Sequence, residues 1–595
     1  MNNSLSIAVL PFKNMSSNDE NEYFCDGITE EIINALSKIA SLKVTSRTSS
    51  FHFKKKELPI STIANTLGVS IILEGSARLA GNIIRITAQL IQAEDDFHFW
   101  SETWDRELKN IFEIQDEISL LIAEKIREQF GHFELADHLY TKGTDNINAY
   151  EYALMARFHK NKWNPDDIVL AETFYKKALA LDSNHVDALI GLADVYSFRV
   201  MTGLMPFIEG WEQSNKLVAQ TLALDPNNPE AYYQKANSSF FTESNFGEAL
   251  AHAKKSIQLK PNYVESQQFL SFLYILNGDR EKAKEHLDIA LGIDPLSQET
   301  LFFSAYFDYM TDNYAAALKQ LDSCLEVNPK NIPAHAVKCL SLIKLERYET
   351  VLAYLENNHV ILPEGEKVGA IALSYAGLKD QENLIVQKRI LQAMADEPDG
   401  FAADSFLFLL HAFMGEMDKA FAWVEKGIKT KSTLLMLRYV DPVAANLRTD
   451  KRFKAFHDII FSIGKYKVSN PKKKKALLNE SATLAFKHKL LEHLSEASPY
   501  LDPNLSLRSL ADQIGIHPNQ LSWLLNEHIG KSFNEFINAY RIQKFKALAK
   551  DPKNAHLTLI GLAYDSGFNS KTVFNTYFKR ETGLTPKQFL KSQSS

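Results

Sequence analysis

The chain has 595 residues, of which 45% are hydrophobic and 23% are charged. At about 150 residues per domain this length predicts roughly four domains, and the composition excludes a largely disordered chain. The net charge of −7 hides an asymmetry, because residues 465–595 carry 20 Lys and Arg against 10 Asp and Glu. That end is therefore +10 and the remainder −17, which indicates a module that binds a polyanion.

Neither the apolar runs nor the cysteines suggest a membrane or an oxidising compartment. No run in the sequence approaches the roughly 20 apolar residues of a membrane-spanning helix, and residues 1–6 lack the pattern of a signal peptide. We therefore expect a cytoplasmic protein with no membrane partner. Cys25, Cys324 and Cys339 are too few and too scattered for a disulfide framework or a thiolate metal site.

Residues 5–130 predict a compact α/β domain. Apolar runs predict strands at 6–12, 42–46, 71–80 and 83–91, and helical spacing predicts helices at 22–39, 59–67 and 111–130. The dipeptide Gly81-Asn82 lies between the last two strands and suits a hairpin turn.

This region resembles a known module. The resemblance is carried by Ile7-Ala8-Val9-Leu10-Pro11-Phe12, Glu22-Tyr23-Phe24-Cys25-Asp26-Gly27, Ser46-Arg47-Thr48-Ser49, Leu73-Glu74-Gly75-Ser76, Arg85-Ile86-Thr87-Ala88-Gln89-Leu90 and Trp104-Asp105-Arg106. In their order and spacing these sequence segments are similar to the TolB amino-terminal-like domain. In bacterial regulators and some adenylate cyclases that domain stands before tetratricopeptide repeats.

The polar residues of this domain allow two interpretations. They are Asp26, Gly27, Arg47, Glu74, Arg78, Arg85 and Asp105. They would suit a small-ligand or nucleotide pocket at a helix start, where free amides attract anions. Alternatively, Asp26 caps the helix and the arginines pair with Glu74 and Asp105, which is the interpretation we favour. The sequence has no phosphate-loop pattern and no zinc-binding His/Glu pair, so it predicts no cofactor, no metal site and no catalytic residue.

The middle of the chain repeats itself. Pro226, Pro261, Pro295 and Pro329 each follow an apolar helical stripe, at spacings of 35, 34 and 34 residues. That period is the tetratricopeptide length, and each proline is expected to end a helix. An earlier copy ends at Leu181-Asp182, with its extra residues in 201–210, and the later copies around 346–362 and 415–429 are degenerate.

Such an array is either a rigid spacer or a concave groove for a partner. We favour a groove that binds a protein, a peptide or a second copy of the chain, since a solenoid exposes more groove than a spacer requires. Trp163, Trp211 and Trp423 are candidate anchors, although tryptophans in helical repeats more often belong to the core. Dimerisation through the repeats and a self-capped monomer are both compatible with the sequence.

The basic tail contains two similar segments. The first copy has Leu505-Ser506-Leu507, Leu510-Ala511, Gly515-Ile516 and Leu521, and the second has Leu557-Thr558-Leu559, Leu562-Ala563, Gly567-Phe568 and Phe574. Each copy predicts a helix, a glycine turn and a second helix. Ser506 and Thr558 suit N-caps, and Gly515 and Gly567 suit a positive φ where the chain reverses. A tandem pair is more specific than one helix-turn-helix pattern, which many helical hairpins share.

The second helix of each copy predicts a face that reads DNA. A helix fits the major groove, where Asn and Gln bind adenine and Lys binds guanine. The candidate DNA contacts are His517, Asn519, Gln520, Ser522, Trp523 and Asn526 in the first copy, and Ser570, Lys571, Thr572, Asn575, Thr576 and Lys579 in the second. Two have structural alternatives, since His517 would also serve as a helix cap and Trp523 would pack against the helix between the copies.

That connecting helix is predicted from a capping box, Ser532-Phe533-Asn534-Glu535, and runs to about Lys550. Thr585-Pro586-Lys587-Gln588 repeats the pattern after the second copy. A rigid connecting helix would hold the two reading helices in successive major grooves, about 34 Å apart.

The tail resembles the AraC-type DNA-binding domain over residues 487–592. The second copy is close to the family signature through Gly567-Phe568, Phe578-Lys579 and Thr582-Gly583-Leu584-Thr585-Pro586. In that family the first reading helix usually contacts bases, and the second reads bases or mainly grips phosphates. By position these roles fall on Asn519, Gln520, Ser522 and Trp523, and on Lys571, Thr572, Asn575 and Lys579. The sequence departs from the family at His517, where serine is usual, and at Leu524, where phenylalanine is common.

These observations predict a multidomain, mainly α protein. Its expected parts are a TolB amino-terminal-like α/β domain at 1–140, a tetratricopeptide α-solenoid at 145–462, a basic linker at 463–485 and an all-α tandem helix-turn-helix at 486–595. The linker's Lys472–Lys475 run is equally compatible with a solvated segment and with phosphate contacts. The expected function is that of a bacterial transcription regulator that binds double-stranded DNA. The alternatives are an interaction scaffold localised on DNA by its tail and an enzyme.

Overall fold

The structure is a computed structural model that describes residues 5–16, 22–39, 41–80, 83–107, 111–135, 144, 146–357, 362–397, 401–432, 437–462, 477–554 and 556–593. Its contacts divide the chain into two compact units. The first unit comprises residues 1–42, 58–141 and 469–595, and the second comprises 43–57 and 142–468. Most of the α/β domain therefore shares a unit with the basic tail. Among the described residues, no helix is both long enough and apolar enough to cross a membrane.

The amino-terminal part is built from short strands and helices. The strands are β1 (Ser6–Val9), β2 (Lys13–Asn14), β3 (Lys43–Val44), β4 (Ile71–Ala80), β5 (Ile83–Gln92) and β6 (Phe97–Glu107), and the helices are α1 (Glu22–Ser37), α2 (Arg47–Phe51), α3 (Ile60–Leu67) and α4 (Ile111–Phe130). In the first unit, β1, β4, β5 and β6 lie side by side in that order. Strands β1 and β2 run parallel to β4, and β4, β5 and β6 form an antiparallel meander.

The predicted elements of this domain are confirmed, whereas strands β2 and β6 and the short helix α2 were not predicted. Strand β6 escaped prediction because its sequence is polar and only Phe97 and Trp104 are buried. Of the expected pairings of arginines with Glu74 and Asp105, the one with Asp105 is present, since Arg85 lies 2.7 Å from it on the neighbouring strand. Glu74 instead accepts a hydrogen bond from Gln89. Asp26 does not cap α1, because that helix already begins at Glu22. The turn residues Gly81 and Asn82 lie outside the described residues.

The second unit contains a long series of antiparallel helix pairs. They are α5 (Ile147–Lys160), α6 (Pro165–Leu181), α7 (Val186–Met201), α8 (Phe207–Leu224), α9 (Pro229–Phe241), α10 (Phe246–Leu259), α11 (Val264–Leu276), α12 (Arg280–Ile293), α13 (Gln298–Met310), α14 (Tyr314–Val327), α15 (Ile332–Lys344), α16 (Tyr348–Leu355), α17 (Glu364–Leu378), α18 (Gln381–Ala395), α19 (Phe401–Phe413), α20 (Met417–Thr430) and α21 (Arg452–Ile460). As predicted, a helix ends two residues before each repeat proline.

Small residues allow these helices to approach one another. Ala231, Ala249, Ala283 and Ala305 are completely buried at the contacts between helices. Trp211 is 3% exposed and stacks on a phenylalanine, so it belongs to the core. Trp163 and Trp423 are half-buried.

The described part of the tail is mostly helical. Its helices are α22 (Glu480–Glu496), α23 (Leu507–Ile514), α24 (Pro518–Trp523), α25 (Phe533–Lys550), α26 (Leu559–Asp565), α27 (Lys571–Thr582) and α28 (Pro586–Gln593). A π-helical turn, Leu524–Ile529, extends α24. Helix α22 begins inside the segment interpreted as a linker, and residues 463–476, with the lysine run, lie outside the described residues.

Candidate nucleic-acid interface

The helix starts of the tail have the caps that the sequence predicts. The hydroxyl of Ser506 accepts the Ser509 amide at 3.1 Å, and that of Thr558 accepts the Gly561 amide at 3.1 Å. Each satisfies an amide of the first turn that has no partner within the helix. His517 caps α24, since its Nδ1 accepts the Asn519 amide at 3.1 Å.

The glycine turns also follow the prediction. Gly515 has φ +74° and Gly567 has φ +94°, in the left-handed region that glycine adopts without steric cost. Each copy therefore has the helix, turn and helix that its local sequence predicts.

The two copies have separate apolar cores, and α25 contributes to both. Its first half places Phe533, Phe536 and Ile537 in the core of the first copy. Its second half places Ile542 and Phe545 in the core of the second copy. The sequence predicts this connecting helix, and the structure adds that it contributes to both cores.

A further contact fixes the second copy against the segment that precedes the first. Arg541 of α25 donates from Nε to the carbonyl oxygen of Tyr500 and from Nη2 to that of Asp502, each at 2.8 Å. A Cβ atom on Gly567 would lie 2.2 Å from the same Tyr500 oxygen. The turn of the second copy therefore packs directly on the main chain before the first copy, and no side chain fits between them.

The reading helix of the first copy is largely covered. Asn519, Gln520, Trp523 and Asn526 are half-buried, whereas His517 is exposed. Ser522, expected on the exposed face, is only 2% exposed. It lies one helical turn from both Asn519 and Asn526, so these three residues share a face.

Gln520 and Trp523 have local structural roles. The Oε1 atom of Gln520 accepts the His517 amide at 3.1 Å and completes the capping box of α24. The Trp523 ring meets the ring of His528 edge-on, with centroids 4.6 Å apart.

The cover over this helix comes from residues 124–135, which we call the covering segment. It comprises the end of α4 and the residues that follow. The Oδ1 atom of Asn519 accepts hydrogen bonds from the Arg127 guanidinium and, at 3.3 Å, from the Leu135 amide. Its Nδ2 donates to the Leu135 carbonyl oxygen at 3.1 Å. A Cβ atom on Gly131 would lie 2.7 Å from Oδ1 of Asn526, so the segment passes close to the helix there as well.

The same segment also holds the start of α23 and the connecting helix. Glu128 accepts the Leu507 amide at 2.7 Å, and Glu124 accepts two hydrogen bonds from Arg508, at 2.6 and 2.9 Å. The side-chain oxygen of Gln129 accepts from Asn534 of α25 at 2.9 Å.

Gln129 also reaches the second copy. The same oxygen accepts the Tyr577 hydroxyl of α27 at 2.9 Å. The covering segment thus touches both copies and the helix between them, and no sequence pattern in 111–130 had indicated this role.

The reading helix of the second copy is open. Lys571, Thr572, Asn575 and Lys579 are exposed on α27, and Thr576 is half-buried. Ser570 is the N-cap of the helix, accepting the Val573 amide at 3.4 Å. Phe574 and Phe578 occupy the inward face. This face presents two cations and an amide at one-turn spacing, which suits phosphate and base contacts.

Two family models match parts of the chain. One, described as a helix-turn-helix domain, matches residues 510–592. Residues 510–592 form a helix-turn-helix domain. The AraC-type prediction for the tail is confirmed. The other model, the second domain of HilA/YgeH-like transcriptional regulators, matches residues 3–121, where the TolB-like phrases lie. The chain therefore carries two domains of the kind found in transcriptional regulators.

Several known proteins are similar to parts of this chain. A putative adenylate cyclase 3 of Rhizobium meliloti (strain 1021) is 34% identical over 239 residues, which are 39% of this chain and 39% of that protein. The uncharacterized transcriptional regulatory protein YesN of Bacillus subtilis (strain 168) is 30% identical over 93 residues, 16% of this chain and 25% of that protein. The chain thus spans well under two thirds of either relative.

A solved structure was also matched. It is a tetratricopeptide repeat protein from Parabacteroides merdae ATCC 43184, at 14% identity and a TM-score of 0.29, covering 44% of this chain and 98% of that one.

Proposed function

We propose that this chain is a sequence-specific DNA-binding transcription regulator. In this proposal the two reading helices of the tail enter successive major grooves, while the amino-terminal domain and the repeats respond to a signal or a partner. The observation that carries the proposal is the pair of helix-turn-helix copies built on one shared helix, α25. A single reading helix would be compatible with many helical hairpins, whereas a fixed pair matches two-site recognition.

The exposed face of α27 supports the same proposal. Lys571 and Lys579 would supply salt-sensitive attraction to phosphates, and Asn575 would read a base edge. On α24 and the π-helical turn that extends it, Asn519 and Asn526 would read bases, with Ser522 between them and Gln520 beside them. Trp523, His517, Ser570, Thr572 and Thr576 complete the proposed surface. Its partner is double-stranded DNA, and the proposal requires no metal ion or cofactor.

The testing experiment is selection of bound fragments from a random duplex library by the full chain in about 0.15 M salt. We expect a motif with two elements about one helical turn, or 10 base pairs, apart. A chain carrying Lys571→Ala, Asn575→Ala and Lys579→Ala is the comparison, and it should lose one of the two elements. Salt-sensitive retention without any enriched motif would overturn sequence reading and favour a scaffold that the tail anchors on DNA.

The enzymatic alternative has one observation in its favour, the partial likeness to a protein named as a putative adenylate cyclase. We propose that this chain does not turn over nucleotides. Among the described residues, no group of three or more His, Cys, Asp or Glu side chains is arranged to hold a metal ion. Incubating the full chain with ATP and Mg²⁺ tests this, because release of pyrophosphate or phosphate would contradict the proposal.

A further inference from the structure

The covering segment binds the first helix-turn-helix through groups that resemble those of DNA. Its carboxylates, Glu124 and Glu128, meet the Arg508 guanidinium and the Leu507 amide at the start of α23. In a helix-turn-helix the first helix crosses the DNA backbone, and arginines and helix-start amides are common ligands of phosphate. Two carboxylates therefore occupy positions that suit two phosphates.

The side-chain amide of Asn519, which we expect to read a base, is also hydrogen-bonded to the covering segment. Asn519 accepts from Arg127 and both accepts from and donates to the main chain of Leu135. An adenine edge would offer the same combination of one donor and one acceptor. The polar ends of the Asn519 side chain are therefore satisfied from within the unit.

We propose that residues 124–135 act as an internal mimic of DNA that keeps the first helix-turn-helix closed until DNA or a signal displaces them. The proposal rests on the proposed function, since it assumes that the tail binds DNA. Under it the covering segment and a duplex compete for the same groups, namely Leu507, Arg508 and Asn519. The second reading helix stays accessible, so the closed chain keeps one contact surface for DNA.

The burial of Arg127 opposes closure. Arg127 is 2% exposed, and among the described residues its Nε has no hydrogen-bond partner. Its guanidinium bonds to a neutral amide, and burial lowers the pKa of Arg127 to about 10, although Glu124 and Glu128 oppose that effect. A buried cation without a bonded carboxylate is costly, so release of the segment would restore its hydration.

The test compares full-length variants for binding to a random-sequence 40-base-pair duplex in about 0.15 M salt. Glu124→Gln with Glu128→Gln keeps the side-chain size and removes both charges. We expect this double variant to bind at least about tenfold more tightly than the original chain. Glu117→Gln is the matched control, because Glu117 lies on the same helix and pairs with Arg106 of β6. It should leave the affinity unchanged.

Two further measurements guard against ambiguous results. Arg127→Met keeps an apolar side chain of similar length and removes the hydrogen bond to Asn519. It should therefore also bind the duplex more tightly than the original chain. This variant tests the proposal independently if the double variant folds poorly. Hydrogen exchange reports closure independently, since adding the duplex should speed exchange in residues 127–135. The selection from the random duplex library is repeated with the double variant. This is needed because a closed first helix-turn-helix would weaken the motif that the original chain enriches.

The outcomes separate this inference from the proposed function. If every variant binds the duplex with the same affinity and exchange in 127–135 does not change, the mimic is overturned and DNA binding stands. If neither the original chain nor any variant binds a duplex, the proposed function is overturned, and the inference is overturned with it.

Discussion

Asn519 and Arg127 lie 392 residues apart in the chain and are joined by a hydrogen bond in the fold. The amide expected to read a base in the first copy is therefore held by the α/β domain. Asn575, on the reading helix of the second copy, is exposed. The two copies resemble each other in local structure and differ in what covers them.

Replacing Asn519 by alanine should lower the affinity for the selected site without lowering the affinity for random duplex. The variant loses the proposed base contact and also the bonds to Arg127 and Leu135. We expect a loss of about 1 to 3 kcal/mol of binding free energy on the selected site and no loss on random duplex. Titration of the full chain with both duplexes measures this. Gln513→Ala removes an exposed amide from α23 and serves as the control. Equal losses on both duplexes would place Asn519 on the DNA backbone instead.

Replacing Lys579 by alanine should weaken binding to all duplexes alike. An exposed lysine that contacts a phosphate contributes counterion release, so its loss should reduce the slope of log affinity against log salt by about 1. The measurement is a series of titrations between about 0.05 and 0.2 M salt. Lys454→Ala removes an exposed lysine of α21, outside the tail, and should leave the slope unchanged. An unaltered slope for the Lys579 variant would remove this residue from the interface.

Replacing Gly567 by alanine should destabilise the second copy strongly. The new Cβ would lie 2.2 Å from the Tyr500 carbonyl oxygen, at a residue with φ +94°. We expect a cost of about 3 kcal/mol or more. Gly583→Ala is the control, because Gly583 has φ +71° with no heavy atom within 4 Å of the added Cβ. Backbone strain alone should cost about 1 kcal/mol there. Hydrogen exchange across 507–582 measures the loss of stability in each variant. Equal losses would show that the main chain moves to relieve the close approach to Tyr500.

Replacing Glu299 by glutamine should stabilise the repeats at high pH. The first helices of successive repeats carry charged residues that include Lys160, Asp194, Glu230, Glu265 and Glu299. Burial, together with Glu265 and Asp194, raises the pKa of Glu299 to about 8. A carboxyl group whose pKa is higher in the folded chain than in the unfolded chain holds its proton more tightly when folded. Stability is therefore lost as pH rises from about 4.3 toward 8.

Urea unfolding of the full chain, followed on the repeats by hydrogen exchange, tests this sign. The Glu299→Gln variant should be about 1 to 3 kcal/mol more stable than the original at pH 8.5 and nearly unchanged at pH 4. Glu281→Gln changes an exposed glutamate of α12 and should show no such difference. If the Glu299 variant is more stable than the original chain by the same amount at both pH values, the gain does not come from ionisation of Glu299, and the prediction is wrong.

The sequence by itself determined the features that depend on neighbours a few residues away. Ser506, Thr558 and His517 cap their helices, Gly515 and Gly567 take a positive φ, and helices end before the repeat prolines. Capping and turn geometry are local, so residue type and spacing suffice to predict them.

The tertiary structure alone decided which face of the tail is covered. Strand β6 is too polar to be recognised from its own residues and forms because β5 offers it an edge. The bonds from Glu124, Arg127 and Glu128 to the first helix-turn-helix join residues more than 370 positions apart. The spacing of residues along a helix does not specify a partner so far away in the sequence. The partner is set by complementary shape and charge once both domains have folded.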